Sequence, residues 1–219
     1  AAGSMVIWVL RGRFGLPKLV LTFGGVLGAA MMLTGAVPWQ NSASPGLFLS
    51  LLVAAWSLIL TVLALLVGRV ARVPNVIAAT ALTVAAFTVD AALGAVMEPG
   101  SMLNSRPIFG LRWYGFGNVT FAVYASAGLV LAGYIAHRCL AAGRRGGAIA
   151  AVGAIGFGIV ICEGWPSMGS DFGGVIVLTP AVLWLMLALS GVKMTWPKLL
   201  AIGGSAVLAV SVISVLDWL

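Results

Sequence analysis

Gly46–Val67 reads GLFLSLLVAAWSLILTVLALLV, 22 residues without one charged side chain, and Arg69 and Arg72 come just after it. A helix needs about 20 predominantly apolar residues to cross the hydrocarbon core of a bilayer. This stretch has that length and composition. The whole chain has the same character: 62% of its 219 residues are hydrophobic and 8% charged, and the mean hydropathy is +1.14. A water-soluble domain carries about 25% charged residues, so this chain could not cover its own surface in water.

Outward from that stretch, six further segments read as spans: residues 19–37, 74–97, 115–135, 147–162, 174–189 and 199–216. The fold class expected is all-α, a polytopic membrane helix bundle of about seven transmembrane helices. Residues 1–5, Ala-Ala-Gly-Ser-Met, read as a tag scar, and residues 6–219 as a single transmembrane helical domain. Val6–Leu10 is too short to cross and reads as an interfacial stub or the end of a further helix. The abrupt end at Asp217-Trp218-Leu219 suggests a piece of a longer protein.

The charges fall into two groups once the spans are drawn. Arg11, Arg13, Lys18, Arg69, Arg72, Arg138, Arg144, Arg145, Lys193 and Lys198 all fall at one set of span ends. The positive-inside rule makes that side cytoplasmic, with the N-terminus inside and the C-terminus outside. The net charge of +7 thus reads as orientation, and no nucleic-acid partner is expected. A multi-pass position in the plasma membrane follows. All five acids lie toward the other side, together with Arg106 and Arg112, the two cations that break the rule.

That outer side holds the candidate chemistry. Asp90 lies seven residues before the expected end of span three, so roughly 10 Å below it. A carboxylate at such depth faces the bundle interior and is by default a functional candidate, the alternative being a structural hydrogen bond or ion pair. Thr83, Phe87, Gly94 and Met97 share its helix face by spacing. Arg106 and Arg112 suit bidentate recognition of a carboxylate or phosphate, or else pair with Asp90, Glu98, Glu163 or Asp171. Trp113 and Tyr114 stand beside Arg112 as a site wall, whereas Trp39 and Trp165 fit an aromatic belt. Span four opens on Gly115-Phe-Gly-Asn118 and span six on Ser170-Asp-Phe-Gly-Gly174. Glycine-rich helix N-termini facing outward are ready anion sites, although Ser170 or Asp171 as N-cap of span six explains the second equally well. The ligand-binding set expected is Asp90, Arg106, Arg112, Trp113, Tyr114, Asn118, Glu163 and Asp171, with Asp90 the candidate catalytic group.

Other chemistries fit poorly. A divalent cation held by Glu163, Asp171 and Asp90 is conceivable through oxygen ligands, but nothing fixes their spacing; no metal and no cofactor is expected. Cys139 and Cys162 fall at opposite sides and cannot bridge. His137, the single histidine, falls at the cytoplasmic side, away from any outer triad or zinc site. Phosphate-loop and dinucleotide motifs are absent, and Asn118-Val-Thr120 lies too near the membrane to accept a glycan. Small residues at helical spacing, Gly24 and Gly28, Ala150 and Ala154 with Gly153, Gly156 and Gly158, and Ala201, Ser205 and Ala209, predict close helix packing.

Arg112-Trp-Tyr-Gly-Phe-Gly-Asn118, Gly169-Ser-Asp-Phe-Gly-Gly174, Met194-Thr-Trp-Pro-Lys198 and Leu216-Asp-Trp-Leu219 together resemble the C-terminal membrane half of large, poorly characterised actinobacterial multi-pass proteins. The resemblance runs from about Asp90 onward. It implies a cell-envelope role and a linked or partner extracytoplasmic domain similar to the alkaline phosphatase superfamily. It assigns no catalytic residue to this chain.

Three functions follow as expectations. The first is a membrane domain whose outward-facing cleft binds or presents an anionic envelope lipid or lipid-linked intermediate to an extracytoplasmic domain. The second is a proton-coupled transporter or flippase using Asp90. The third is an intramembrane transferase or hydrolase using carboxylates and a metal.

Overall fold

The computed structural model describes residues 15–104, 115–193 and 195–218, apart from the side chains of Leu216 and Asp217. The tag scar, Val6–Leu10, Arg11 and Arg13 lie outside the described residues, as do Met194 and Leu219. Seven helices are long and apolar enough to cross a membrane, and the described residues contain no strand. They are α1 (Gly15–Leu33), α2 (Pro45–Ala71), α3 (Asn75–Ala92), α4 (Asn118–Ala141), α5 (Arg145–Gly164), α6 (Phe172–Leu189) and α7 (Trp196–Trp218).

The helices do not form a ring. α1, α2 and α3 pack against one another; α3 then packs on α4, α4 on α5, α5 on α6, and α6 on α7. α5 is the most buried span and α7 the least. The bundle is inside-out relative to a soluble protein. Large residues such as Leu16, Leu51, Leu58, Leu66, Val207 and Leu208 are exposed, while Ala29, Ala30, Ala64, Ala78, Ala79 and Ala132 are buried. Lipid tails are as apolar as leucine, so association relies on close contact between small residues. A Cβ on Gly28 would strike Val123, and one on Gly156 would strike Val182.

The expected small-residue pairs are only half right. Gly28 packs, but Gly24 faces open space, and the glycine beside it, Gly25, meets Ala79. Ala150, Ala154 and Ala201 are exposed, whereas Gly153 and Gly156 of the expected set are buried beside Val152 on α5, and on α7 Ala209 packs against the core, with Ile202 and Ala206 buried. Spacing of four recurs on every face of a helix rich in small residues, so the pattern does not choose the face.

Connections on the basic side are tight turns. α2 ends on Arg72 in the left-handed region (φ 54°, ψ 41°), and the N–H of Val73 returns to the Gly68 carbonyl at 3.1 Å, the six-to-one bond of a Schellman ending. Arg145, first residue of α5, donates from Nε to the Leu189 carbonyl at 2.5 Å. It thereby places a cation on the carbonyl end of α6, where the helix dipole favours one.

On the acidic side the connections are laced together. The Trp39 indole N–H reaches the Gly100 carbonyl at 2.8 Å. The Met102 N–H meets Thr34 Oγ1 at 2.9 Å and lies 3.3 Å from the Met31 carbonyl. Gly35 has no alternative: a Cβ there would collide with the Met97 carbonyl.

Candidate functional site

The third span ends earlier than expected, at Ala92 instead of Met97, and this changes the meaning of Asp90. Gly94 (φ 89°) and Ala95 (φ 54°) take left-handed backbone and turn the chain back. The Ala95 N–H then bonds the Asp90 carbonyl at 2.7 Å, and the Met97 N–H bonds Asp90 Oδ1 at 2.9 Å. Asp90 is fully buried, as expected, but it sits in the last turn of its helix as the lock of a turn, not deep below the helix end. Its second oxygen, Oδ2, is buried without a hydrogen bond. Thr83 and Phe87 share its buried face; Gly94 and Met97 lie beyond the helix, and Gly94 is exposed.

Four carboxylates, Asp90, Glu98, Glu163 and Asp171, are buried at this end of the bundle. Glu98 is the one omitted from the expected ligand set, and it organises the start of α4. Thr120 Oγ1 donates to both its oxygens, at 2.9 and 2.8 Å, and the Gly117 N–H approaches Oε1 at 3.2 Å. The glycine-rich start of α4 is thus an anion site whose anion is the chain's own Glu98. The start of α6 is similar. Asp171 occupies its N-cap position without a side-chain capping bond. A Cβ on Gly174 would stand 3.0 Å from Asp171 Oδ2, so that helix start is covered as well.

Asn118, expected as a ligand, is exposed at the first position of α4 and takes no part in this network. Glu163 ends α5, and its carbonyl accepts the Asp171 N–H at 2.6 Å. The Phe116 N–H reaches the Gly169 carbonyl at 2.6 Å, and Gly115 (φ +74°) leaves no room for a side chain there. Beneath these bonds lies an aromatic plug. Phe87 stacks on Tyr124 at 5.6 Å, and Phe116 meets both edge-on at 6.1 Å. The Tyr124 hydroxyl lies 2.7 Å from Thr88 Oγ1. Thr88 Oγ1 also lies 2.8 Å from the Val84 carbonyl. Arg106, Arg112, Trp113 and Tyr114 lie outside the described residues.

Beside the plug runs a groove of about 580 Å³, open to the side of the bundle. Gly24, Gly25, Gly28 and Met31 of α1 form one wall, and Val119, Ala122, Val123, Ser126 and Val130 of α4 the other. Val76, Thr80 and Thr83 of α3 form the floor, where Thr83 Oγ1 donates to the Gly25 carbonyl at 2.8 Å. From Val119 to Val130 the groove follows α4 for about 16 Å at 1.5 Å per residue, roughly half the hydrocarbon thickness. Its acidic end lies between Met31 and Val119. Met102 is tied to Met31 in the wall, and Asn118 immediately precedes Val119.

Among the described residues no three His, Cys, Asp or Glu side chains come together as a metal site requires. Cys139 and Cys162 are both free thiols. Comparison with protein-family models, with curated proteins and with solved structures gives no match.

Proposed function

We propose that this chain is a membrane domain that binds an anionic lipid, or a lipid-linked intermediate, in the groove between α1 and α4 and presents its head group at the acidic end. One observation carries the reading. The groove is apolar, opens sideways and is one leaflet deep, and its acidic end lies beside Met102 and Asn118, which flank in sequence the segment bearing Arg106 and Arg112. A spanning partner helix would need a seam about 30 Å long; a single lipid tail needs only the half that is present. With both glycine-rich helix starts covered by Glu98 and Asp171, the head group falls to the two arginines, which suit a phosphate through paired N–H bonds. The acidic face is read as extracytoplasmic, where a linked or partner domain would receive the lipid.

The membrane and transmembrane character follows from the seven spans. Transport or catalysis through Asp90 has weaker support, because its Oδ1 is engaged by the turn it closes.

The test is the lipid retained through purification, measured by mass spectrometry. Ala122→Phe with Ser126→Phe fills the groove from exposed positions, and Arg106→Ala with Arg112→Ala removes the head-group contacts. Both pairs are expected to lose the bound anionic lipid while the thermal transition stays in place. Wild-type retention in both would overturn the proposal.

A further inference from the structure

The opposite face carries a second concavity, which positive-inside orientation does not account for. A cavity of about 410 Å³ lies between the α2–α3 turn and the α4–α5 turn. Arg72 enters it from the first turn, Arg138 from the last turn of α4, and Arg144 from the N-cap of α5. Tyr134 lines it too, with its hydroxyl 3.3 Å from Arg138 Nη1. The rest of the wall is apolar, Val73 and Ile135 among it.

Orientation requires only that cations lie on this side; it does not require three arginines to line one cavity. Like charges so placed repel, and Arg144 adds to the repulsion by sitting at the positive end of the α5 dipole. The Arg72 and Arg144 side chains make no hydrogen bond or ion pair with a described residue. All five acids of the chain fall toward the other face. Arg145 shows the contrast, since the carbonyl end of α6 satisfies it.

The backbone adds an independent sign. Arg72 occupies the left-handed position that normally takes glycine at a helix end, at a cost of about 1–2 kcal/mol for a residue with a Cβ. A strained residue kept at a concave charged site is an observation from which function is properly inferred.

We propose that this cavity binds the phosphate of an anionic phospholipid in the basic-face leaflet, with Arg72, Arg138 and Arg144 as donors and Tyr134 as a neutral one. The lipid source is favoured by position: the cavity lies at the ends of spans α2 and α4, and Val73 and Ile135 make part of its wall apolar. Basic pockets between helix ends on this side of a membrane are suited to such head groups. This site is independent of the groove at the acidic end.

The experiment uses the full chain carrying Ala122→Phe with Ser126→Phe, so that the groove does not contribute, in phosphatidylcholine nanodiscs with and without phosphatidylglycerol. Binding is read by native mass spectrometry and by the shift of the thermal transition. Phosphatidylglycerol should bind and raise the transition, and each arginine removed should weaken binding about five-fold. Arg72→Gly separates binding from folding: relief of the left-handed strain should leave the apo protein at least as stable while phosphatidylglycerol affinity falls. Arg138→Lys and Arg144→Lys keep the charge and the orientation signal but lose the paired donors, and should bind more weakly than wild type. Equal binding by Arg72→Gly and by the lysine variants would overturn the proposal. Protection by inorganic phosphate alone, matching that by phosphatidylglycerol, would overturn the lipid assignment. Arg106→Ala with Arg112→Ala should leave this binding unchanged.

Discussion

Thr120→Val tests whether Glu98 is the clamp that sets α4 in place. Both residues are 0% exposed, so solvent does not screen the contact or replace it. The threonine has one hydroxyl proton, shared between two carboxylate oxygens at 2.9 and 2.8 Å; it counts as one charge-assisted bond, not two. Such a bond contributes about 1.5–3 kcal/mol when one partner is removed. Valine has nearly the same shape, so no cavity adds to the loss. The expected cost is about 2 kcal/mol, roughly a 30-fold fall in the folding equilibrium constant. Thr120→Ser is the control: it keeps the hydroxyl and loses one methyl, for about 0.8 kcal/mol. Reversible unfolding in mixed micelles should therefore rank wild type above serine and serine above valine. Combining Thr120→Val with Glu98→Gln should recover part of the loss, because a neutral amide needs the donor less. If valine proves as stable as serine, Glu98 is held by something other than this hydroxyl, and the account of the α4 start is wrong.

Two further outcomes follow from the packing and the turn. Gly156→Ala should cost about 1–3 kcal/mol by overpacking, because the added Cβ meets the stiff, branched Val182; Val182→Ala should restore most of it in the same unfolding assay. Gly158→Ala, two residues on and facing open space, should be neutral, and an equal cost there would refute the assigned face. Asp90→Asn keeps an oxygen for the Met97 N–H and should leave lipid retention at the wild-type level; its loss would return Asp90 to the centre of the function.

The spans were legible because membrane insertion is read by length and apolarity, which the sequence displays directly. Gly46–Val67 sits inside an observed helix running from Pro45 to Ala71. The end of α3 was missed because Leu93–Met97 is as apolar as a span, while two left-handed residues, one of them Ala95, turn the chain there. Gly94 was the available signal, a glycine at a helix end. Faces were harder to read than spans. In water a helix declares its buried side by contrast with a polar one; here lipid and protein neighbours are both apolar, so Gly24 and Gly25 look alike in sequence and differ only in what they meet. Glu98 was visible as a charge but not as the organiser of α4, since its partner Thr120 lies 22 residues away and hydroxyls carry no pattern of their own.

The acidic and basic faces differ in how their charges are satisfied, and that difference orders the two proposed sites. At the acidic end, carboxylates are buried and their bonds come from the chain: a turn amide for Asp90, a hydroxyl and a helix start for Glu98. Such an end satisfies its charges from within, and it leaves the adjacent groove as the place where something else can enter. At the basic end, three arginines line an open cavity, and two of them have no partner from the chain. Burial forces pairing within the protein, whereas exposure at a membrane surface leaves the counter-charge to the bilayer. Removing partners should therefore act differently on the two faces. Substitutions around Glu98 should appear first as lost stability, and substitutions of Arg72 or Arg144 as lost lipid with the fold intact. If Arg144→Ala unfolded the protein as readily as Thr120→Val, the arginines would be structural cations like Arg145, and the division between a locked end and a ligand-seeking end would not hold.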